Sequence, residues 1–420
     1  MKKEIMDGSL GEGVKMDEKF GKFPIFEFAN KNEDLHKLKD ELMEGLSNLR
    51  MDNGVFYAST GEFYLKSWLR DNFYANLAYL NSDPEKYKQT IQTMLDYFLK
   101  IEKDYQKISW LIKHPDIPNG QEWRFIHSRT DKFLQEIPQI WGNLQIDSIN
   151  QILYGVYLGE SKGISIIRNE DDRKIIQLVI DMMEAINFHT LEDNGCWEEK
   201  RKVETSSIGY ALTALTSMKM LGFNVKQQLL DNAHDVLNKL LPGESSERDV
   251  DMAQLNLIFP CFILDANRSE AIMKNIEDKL ERKHGALRYK FDEYYNTFNK
   301  EHNRYHDEKA TQFEDNEAVW SMYLSFASLS YHTLGNEEKA KEYAYRMIEE
   351  TIIHNVKIPV INKESGDYQL DENGNKTYFI AKSAIPEIFY AHTDIPNDNI
   401  ILAWCQSLAI VTLETVLGVK

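Results

Sequence analysis

Apolar residues recur at spacings of three and four along most of this chain, which is the periodicity of amphipathic α-helices. The pattern predicts about eleven helices, with a shorter one around Met252 to Phe259. The eleven segments are 31–49, 67–80, 84–102, 145–159, 172–188, 206–221, 225–241, 269–281, 317–335, 336–352 and 398–418.

Some of these helices are apolar on several faces, as in residues 207–218, whereas others carry charge along one face. Helices of the first kind are typical of positions enclosed by neighbours on both sides, and helices of the second kind lie at a surface. This alternation predicts an all-α fold with two concentric rings of helices. The segments 356–361 and 376–381 flank the turn signal DENGN and predict one small β-hairpin.

No Pro/Gly/Ser-rich linker divides the chain, so we expect a single domain over residues 20–420. We expect residues 1–19 to form a flexible N-terminal arm. Two lysines begin that arm, but no apolar run follows them, as a secretory signal would require.

Composition narrows the classes of partner. The net charge of −18 disfavours nucleic acid, whose phosphates such a surface repels. The sequence also lacks a basic amphipathic helix and an apolar run of about 20 residues, so we expect no membrane contact. Three scattered cysteines, an odd number, favour a reducing cytoplasm over a disulfide framework.

Two acidic residues are candidates for glycoside chemistry. Trp197 lies beside Glu198 and Glu199, and an indole ring can stack on a sugar and shield a carboxylic acid from water. Glycoside hydrolysis usually needs two carboxyl groups, about 6.5–9.5 Å apart in inverting enzymes. We expect Glu198 to be the general acid and Glu387 the general base. The alternatives are an exposed helix start for residues 197–199 and a solvated helix-terminal carboxylate for Glu387.

Other polar and aromatic residues have two interpretations each. Arg70 and Asp71 either bind sugar hydroxyls or form a structural ion pair at a helix start, and the same choice applies to Arg288 with Asp292. Trp141 is either a sugar platform or a core residue. We expect no metal site, since the one HxxxH spacing, His302 to His306, lacks the glutamate of the zinc-protease pattern.

The order of several segments resembles glycoside hydrolase family 15, the glucoamylase family, and within it most nearly the homologous domains of the phosphorylase kinase alpha and beta subunits. The resemblance runs from about Gly54 to the C-terminus. Its segments are WLRDNFYANLAYL, WGNLQIDS, GCWEE with SSIGYALTAL, LLPGES, GALRY, FEDNEAVW, and PEIFY followed by LAWCQSLAIV.

The resemblance implies an (α/α)6 barrel with its site at one mouth. It puts the general acid on Glu198, after Trp197, and the general base on Glu387. Sugar-binding roles fall on Arg70, Asp71 and Arg288, and Glu199 becomes a sugar-contacting neighbour of the acid. Such enzymes invert the anomeric centre of α-glucosidic bonds and need no cofactor.

We therefore expect a cytoplasmic glycosidase that removes glucose from the non-reducing end of an α-linked glucose oligosaccharide, with Trp141 and Trp197 packed on the terminal sugar. The alternative is a non-catalytic module that binds a glucan or oligosaccharide, or serves in regulation, like the kinase subunits.

Overall fold

The computed structural model describes residues 32–138, 141–290, 292, 294, 317–351, 356–391, 394–397 and 399–420. The proposed arm, residues 1–19, and the segment His302 to His306 lie outside these ranges. Within them the chain is mostly helical, with three 3₁₀-helices and nine short strands.

The α-helices are numbered here in chain order. They are α1 (Asn32–Asn48), α2 (Leu69–Leu77), α3 (Tyr79–Ser82), α4 (Pro84–Tyr105), α5 (Lys107–Lys113), α6 (Ile146–Ser161), α7 (Glu170–Ala185), α8 (Thr205–Met220), α9 (Gln227–Leu240), α10 (Ala266–Lys279), α11 (Met322–Thr333), α12 (Glu337–Glu350) and α13 (Ala403–Thr415). The 3₁₀-helices are Glu62–Tyr64, Glu122–Arg124 and Met252–Leu257.

The strands form three small sheets. They are β1 (Ser67–Trp68), β2 (Arg129–Thr130), β3 (Glu281–Arg282), β4 (Gly285–Ala286), β5 (Ala318–Trp320), β6 (Val356–Pro359), β7 (Tyr378–Ala381), β8 (Ile388–Tyr390) and β9 (Ile395–Pro396). β1 pairs with β2, β6 with β7, and a five-stranded sheet has the order β3-β4-β5-β8-β9; every pairing is antiparallel.

An inner ring is built from helices that are buried on nearly all sides. Every residue of α2 is buried, and α6, α8, α11 and α13 are buried over most of their length. The contacts close a circle, because α2 packs on α6, α6 on α8, α8 on the helix Met252–Leu257, that helix on α11, α11 on α13, and α13 on α2.

An outer ring is built from α1, α4, α7, α9, α10 and α12, each of which buries one face and exposes another. Inner and outer helices alternate along the chain, so the predicted (α/α)6 barrel is confirmed. The β6–β7 hairpin is also confirmed, with Val356 paired to Ala381.

Sequence periodicity misassigned some short elements. Residues 318–320, expected at the start of a helix, form strand β5, and the last barrel helix begins at Ala403 rather than near residue 398. The segment around Met252 is a 3₁₀-helix, which ends at Leu257. Strands of two or three residues carry too little alternation to be recognised in a sequence.

The inner helices all begin at the same end of the barrel. Arg70 and Trp404 lie in the first turns of α2 and α13, Trp320 lies two residues before the first residue of α11, and all three line one cavity. Loops that precede the inner helices therefore converge on one mouth of the barrel, where the family resemblance implied a site. No helix in the described part of the chain is both long and apolar enough to span a membrane.

The five-stranded sheet supplies a stability prediction. Gly285 has φ +155°, and a β-carbon placed there would lie 2.1 Å from the carbonyl oxygen of Trp320 in the neighbouring strand. We expect Gly285→Ala to lower the free energy of unfolding by about 3 kcal/mol or more, through backbone strain and the clash together.

Chemical denaturation would measure this loss. Gly335→Ala is the control, because Gly335 also has a positive φ, +74°, but no atom lies within 4 Å of its β-carbon position. We expect about 1 kcal/mol there. Equal losses in the two variants would contradict a clash at Gly285.

Candidate functional site

A cavity of about 370 Å³ opens where the inner helices begin. Its volume lies within the range of about 300–1,000 Å³ that is usual for small-molecule sites. Eight of the site residues proposed from the sequence line this cavity; they are Arg70, Asp71, Trp141, Trp197, Glu198, Glu199, Arg288 and Glu387. Asp292 is not in the cavity wall.

Glu198 is presented by a tight loop with unusual backbone angles. Gly195 and Glu198 both have positive φ, +59° and +63°. At Gly195 a β-carbon would lie 1.7 Å from a carboxylate oxygen of Glu204, so only glycine fits. Left-handed backbone at a non-glycine residue costs on the order of 1–3 kcal/mol and is concentrated at functional sites. Residues 197–199 therefore form a strained turn, not an exposed helix start.

Three nitrogen donors surround the Glu198 carboxylate. Oε1 accepts hydrogen bonds from Arg70 Nη2 at 3.1 Å and from Gln145 Nε2 at 3.2 Å. Oε2 accepts one from the indole nitrogen of Trp141 at 2.9 Å. The orientation of the carboxylate is fixed by donors from two separate segments of the chain, the start of α2 and the loop before α6.

Glu387 lies directly before strand β8 and is 2% exposed, so it is not a solvated loop residue. Its Oε2 accepts hydrogen bonds from Asn397 at 2.6 Å and Asn399 at 2.7 Å. Its Oε1 accepts from the hydroxyls of Tyr64 at 3.0 Å and Tyr294 at 2.9 Å. Burial raises the pKa of Glu387 above its usual value, and these four neutral donors oppose that rise.

Arg70 and Asp71 are both buried at the start of α2, at 6% and 5% exposure. Burial raises the pKa of Asp71 to about 7, against the opposing effect of Arg70, and the charges of Glu198 and Glu387 raise it further. Arg70 also lies 3.9 Å from a carboxylate oxygen of the buried Asp147. Arg70 and Asp71 are thus buried residues of the cavity wall and not a surface ion pair at a helix start.

A second charge cluster surrounds Glu199. Its Oε1 accepts a hydrogen bond from the Tyr289 hydroxyl and lies 3.2 Å from Arg288 Nη2, while Arg248 Nη2 binds Oε2 at 2.9 Å. Burial opposes ionisation, but the charges of Arg288 and Arg248 lower the pKa of Glu199 below its ordinary value. Arg288 is itself held by a two-point ion pair with Asp292, at 2.8 and 2.6 Å.

Aromatic rings form much of the remaining wall. The Trp197 ring stacks near Trp404 at a centroid distance of 6.2 Å and packs against Trp320, and its indole nitrogen binds Asp251 at 2.9 Å. Trp141 is half-buried, and the guanidinium of Arg129 covers its ring at 3.8 Å. Trp141 is therefore a cavity residue with a fixed orientation and not part of the barrel core.

Sequence reasoning missed the residues that orient the two carboxylates. Gln145 was within reach, since it belongs to the WGNLQIDS segment. Tyr64 and Tyr294 carried no local signal, because they lie 323 and 93 residues from Glu387, whereas Asn397 and Asn399 follow Glu387 by only 10 and 12 residues. Arg248 and Asp251, which bind Glu199 and Trp197, were also missed.

Within the described ranges, His, Cys, Asp and Glu side chains form no group of three or more with a geometry suited to a metal ion. The cavity instead offers hydrogen-bond donors and acceptors beside flat apolar faces. That combination suits a neutral polyhydroxyl ligand.

No family model matches this chain. Over 225 residues the chain is 30% identical to the skeletal muscle isoform of the phosphorylase b kinase regulatory subunit alpha from Oryctolagus cuniculus. The aligned region covers 48% of this chain and 18% of that subunit. The chain therefore matches only a small part of this relative's length.

Solved glycosidases have the same fold. A glycosidase variant in complex with glucose matches with a TM-score of 0.68 and 12% identity, over 93% of this chain and 99% of that one. A glycoside hydrolase family 15 glucoamylase from Hypocrea jecorina matches with a TM-score of 0.56 and 12% identity, over 93% and 73%. The resemblance to glucoamylase-like proteins and to the kinase alpha subunit is confirmed, and at these identities the structural matches define the fold alone.

The Arg248 contacts generate a second prediction. Arg248 binds Asp251, whose side chain is fully buried, at 2.7 Å, and this pair anchors both Glu199 and Trp197. Removal of one partner from a buried ion pair costs about 3–5 kcal/mol, because the other charge is left uncompensated. We expect Arg248→Met to lower the free energy of unfolding by that amount.

Urea denaturation of Arg248→Met and of Arg268→Met would test this. Arg268 pairs with Asp265, but both side chains are about half exposed, at 48% and 59%, so the control should lose at most about 1 kcal/mol. A loss as small for Arg248→Met would contradict the anchoring role.

The Asp71 environment predicts a pH dependence of stability. Because its pKa rises from 3.8 unfolded to about 7 in the folded protein, unfolding releases a proton between these values. Stability of the wild type should therefore fall as pH rises through this window, by at most about 1.4 kcal/mol per pH unit for this group. Asp71→Asn lacks this proton and should lack this part of the decline.

The measurement is the difference in unfolding free energy between Asp71→Asn and wild type at about pH 4.5 and about pH 7.5. Relative to the wild type, Asp71→Asn should have a higher unfolding free energy at about pH 7.5 than at about pH 4.5. A difference that is the same at both values would show that Asp71 has an ordinary pKa.

Proposed function

We propose that this protein is an inverting glycoside hydrolase that releases glucose from the non-reducing end of α-glucosides, with Glu198 as general acid and Glu387 as general base. The presence of both carboxylates in the wall of one cavity carries this proposal. Further support comes from the fold, which a glycosidase in complex with glucose shares.

In this mechanism Glu387 activates a water molecule. Its Oε1 has two tyrosine hydroxyls as neighbours, and those of Tyr64 and Tyr294 also lie 2.7 Å from each other. Glu387 Oε1 and the two hydroxyl oxygens make three close contacts with one another, but the two hydroxyls have only two hydrogens to donate. When one tyrosine donates to the other, an acceptor position on Oε1 is open to water, whose proton Glu387 takes as the oxygen attacks the anomeric carbon.

Glu198 acts on the other side of the scissile bond. It donates its proton to the glycosidic oxygen as the bond from that oxygen to the anomeric carbon breaks, so the leaving sugar departs as a neutral alcohol. The water oxygen becomes the new anomeric hydroxyl on the opposite face, which gives inversion. No cofactor takes part.

The remaining cavity residues hold the terminal sugar. Arg70 and Arg288 are donors and Asp71 is an acceptor for its hydroxyls, since all three are buried in the cavity wall and the two arginines are held by hydrogen bonds to Gln145 and Asp292. Trp141 and Trp197 pack on its apolar faces, and Glu199 contacts a neighbouring hydroxyl. A cytoplasmic location belongs to the proposal, because all three cysteines are free thiols.

Sugar binding without turnover is the second candidate function. The motivating observation is that the Arg70 guanidinium binds Glu198 at 3.1 Å, so the proposed acid already has a fixed partner within the protein. The similarity to a kinase regulatory subunit points the same way. In that case the cavity binds an α-linked glucose oligosaccharide and serves recognition or regulation.

Turnover of maltose and isomaltose by the purified protein distinguishes the two. We expect glucose release, with the β-anomer appearing first by NMR, and losses of about 10²–10⁴-fold in kcat for Glu198→Gln and Glu387→Gln, since each removes one proton-transfer group.

Glu85→Gln is the matched control, because Glu85 is an exposed glutamate whose side chain is 83% accessible. Its rate should equal that of the wild type. Equal rates in wild type, Glu198→Gln and Glu387→Gln would refute the catalytic assignment. Calorimetric binding of maltose with no glucose released would favour the binding function.

A further inference from the structure

A buried histidine lies between two carboxylates at one end of the five-stranded sheet. His284 occupies the turn between β3 and β4 and is 2% exposed. Its Nδ1 lies 2.7 Å from a carboxylate oxygen of Glu350, the last residue of α12, and its Nε2 lies 2.6 Å from one of Asp394. Both distances are those of direct hydrogen bonds.

These two contacts determine how many hydrogens the ring carries. An ionised carboxylate can only accept hydrogen bonds, so each ring nitrogen has to donate one. Hydrogen bonds from Lys283 and His284 hold the pKa of Asp394 below its ordinary value, which keeps this partner ionised. A neutral imidazole has a single N–H, and only the imidazolium can therefore bind both carboxylates.

The charges around the ring also favour the imidazolium. Glu350 faces it from α12 and Asp394 from the turn between β8 and β9, while Lys283, in the same turn as His284, binds Asp394. The cation of β3, Arg282, is already held by a two-point ion pair with Glu317, at 2.7 and 3.1 Å. With a neutral ring, the two carboxylates outnumber the one lysine that faces them, and an unbalanced charge is costly beside a buried group.

The same ring packs on the strand that follows the proposed base. The imidazole stacks on Phe389 at a centroid distance of 4.8 Å and an interplanar angle of 29°. Phe389 lies in β8, two residues after Glu387. Asp394, the other contact, closes the turn after β8 through a hydrogen bond from its backbone N–H to the Tyr390 carbonyl at 2.9 Å. His284 thus contacts both the strand and the turn.

The opposite end of this β8–β9 hairpin orients the base. The backbone N–H of Asn397, directly after β9, donates to the carbonyl of Ile388 in β8 at 3.1 Å. The Asn397 side chain donates to Glu387 Oε2 at 2.6 Å. Because His284 holds the turn through Asp394, it also holds β9 and Asn397 in place relative to Glu387.

We propose that His284 is a positioning residue for Glu387, and that loss of one proton from its ring loosens the β8–β9 hairpin and with it the orientation of the base. This inference rests on the proposed hydrolase function and adds a pH-dependent control of the same site. With both ring nitrogens protonated, the ring binds Glu350 and Asp394 together. After one proton leaves, one of these bonds is lost and activity falls, since a displacement of about 1 Å can reduce a rate about 10²-fold.

His284→Gln tests this through the ratio of kcat between wild type and variant. We expect a ratio of about ten at about pH 5.5 that falls to about one at about pH 8.5, because glutamine has no ring to titrate. KM should change by less than about twofold. Glu198 and Glu387 titrate in both proteins, so the ratio isolates the histidine. A ratio that is the same at both pH values would show a purely structural role and overturn the inference.

Asp394→Asn is a second variant with the opposite expectation. Asp394 has φ +54°, a backbone conformation that asparagine tolerates. A side-chain amide can either donate to the ring or accept from it, so His284 no longer needs a hydrogen on both nitrogens. We expect kcat near the wild-type value at about pH 5.5 and above it at about pH 8.5. A variant-to-wild-type ratio that does not rise with pH would contradict the inference.

His332→Gln is the matched control. His332 also lies beside a carboxylate, at 2.9 Å from Glu337, but it is in the last turn of α11, at the barrel end opposite the cavity. Its kcat should equal that of the wild type at both pH values. A pH-dependent loss in this variant would show that any histidine–carboxylate pair has the effect and would count against His284.

NMR of the histidine ring separates this inference from the hydrolase proposal. The His284 signals are identified by their absence in His284→Gln. We expect two ring N–H hydrogens at about pH 5.5 and one at about pH 8.5, with a shift of the Asn397 side-chain amide signal that the variant lacks. If the wild type releases no glucose but these changes are found, the hydrolase proposal fails and the control of the hairpin stands. The same number of ring hydrogens at both pH values would refute that control.

Discussion

Mutual repulsion among carboxylates is the constraint on which the site depends. Four of them line one cavity: Asp71, Glu198, Glu199 and Glu387. Arginines offset that charge in pairs, Arg70 against Glu198 at 3.1 Å and Arg288 against Glu199 at 3.2 Å. Glu387 has no arginine partner among the described residues and depends on amide and hydroxyl donors. The two proposed catalytic groups therefore differ in kind, one beside a fixed cation and the other in a neutral hydrogen-bond cage.

The barrel keeps these charged residues apart from its apolar core. Because all inner helices begin at one end, their first residues and preceding loops supply the site, while their apolar bodies pack into the core. Strand β8 and the residues after β9 then bring Glu387 and its asparagine partners together from one short stretch. Rigid elements thus determine the position of the carboxylates, with the strained turn at Glu198 as the exception.

Sequence periodicity predicted most of the helices because most of them run for three turns or more, long enough for a face to repeat, whereas the seven-residue α5 was not predicted. The five-stranded sheet could not be predicted, since strands such as Gly285–Ala286 have no repeat to detect. Among the residues that line the cavity, Glu198 and Glu387 could be proposed from the sequence because each lies in a compact, recognisable segment. Tyr64 was not, because it contacts Glu387 across a separation of 323 residues, and only the folded ring brings them together.

Closure of the inner ring has a consequence for biosynthesis. Helix α13 packs against both α1 and α2, so the first and last helices of the barrel complete each other. During translation α2 emerges early, yet its partner in the ring is the last barrel helix to leave the ribosome. Until residue 415 has left the ribosome, the apolar face of α2 that packs against α13 has no partner in the chain. That face is therefore exposed, or covered by a chaperone, during synthesis, because contacts between such distant segments form late.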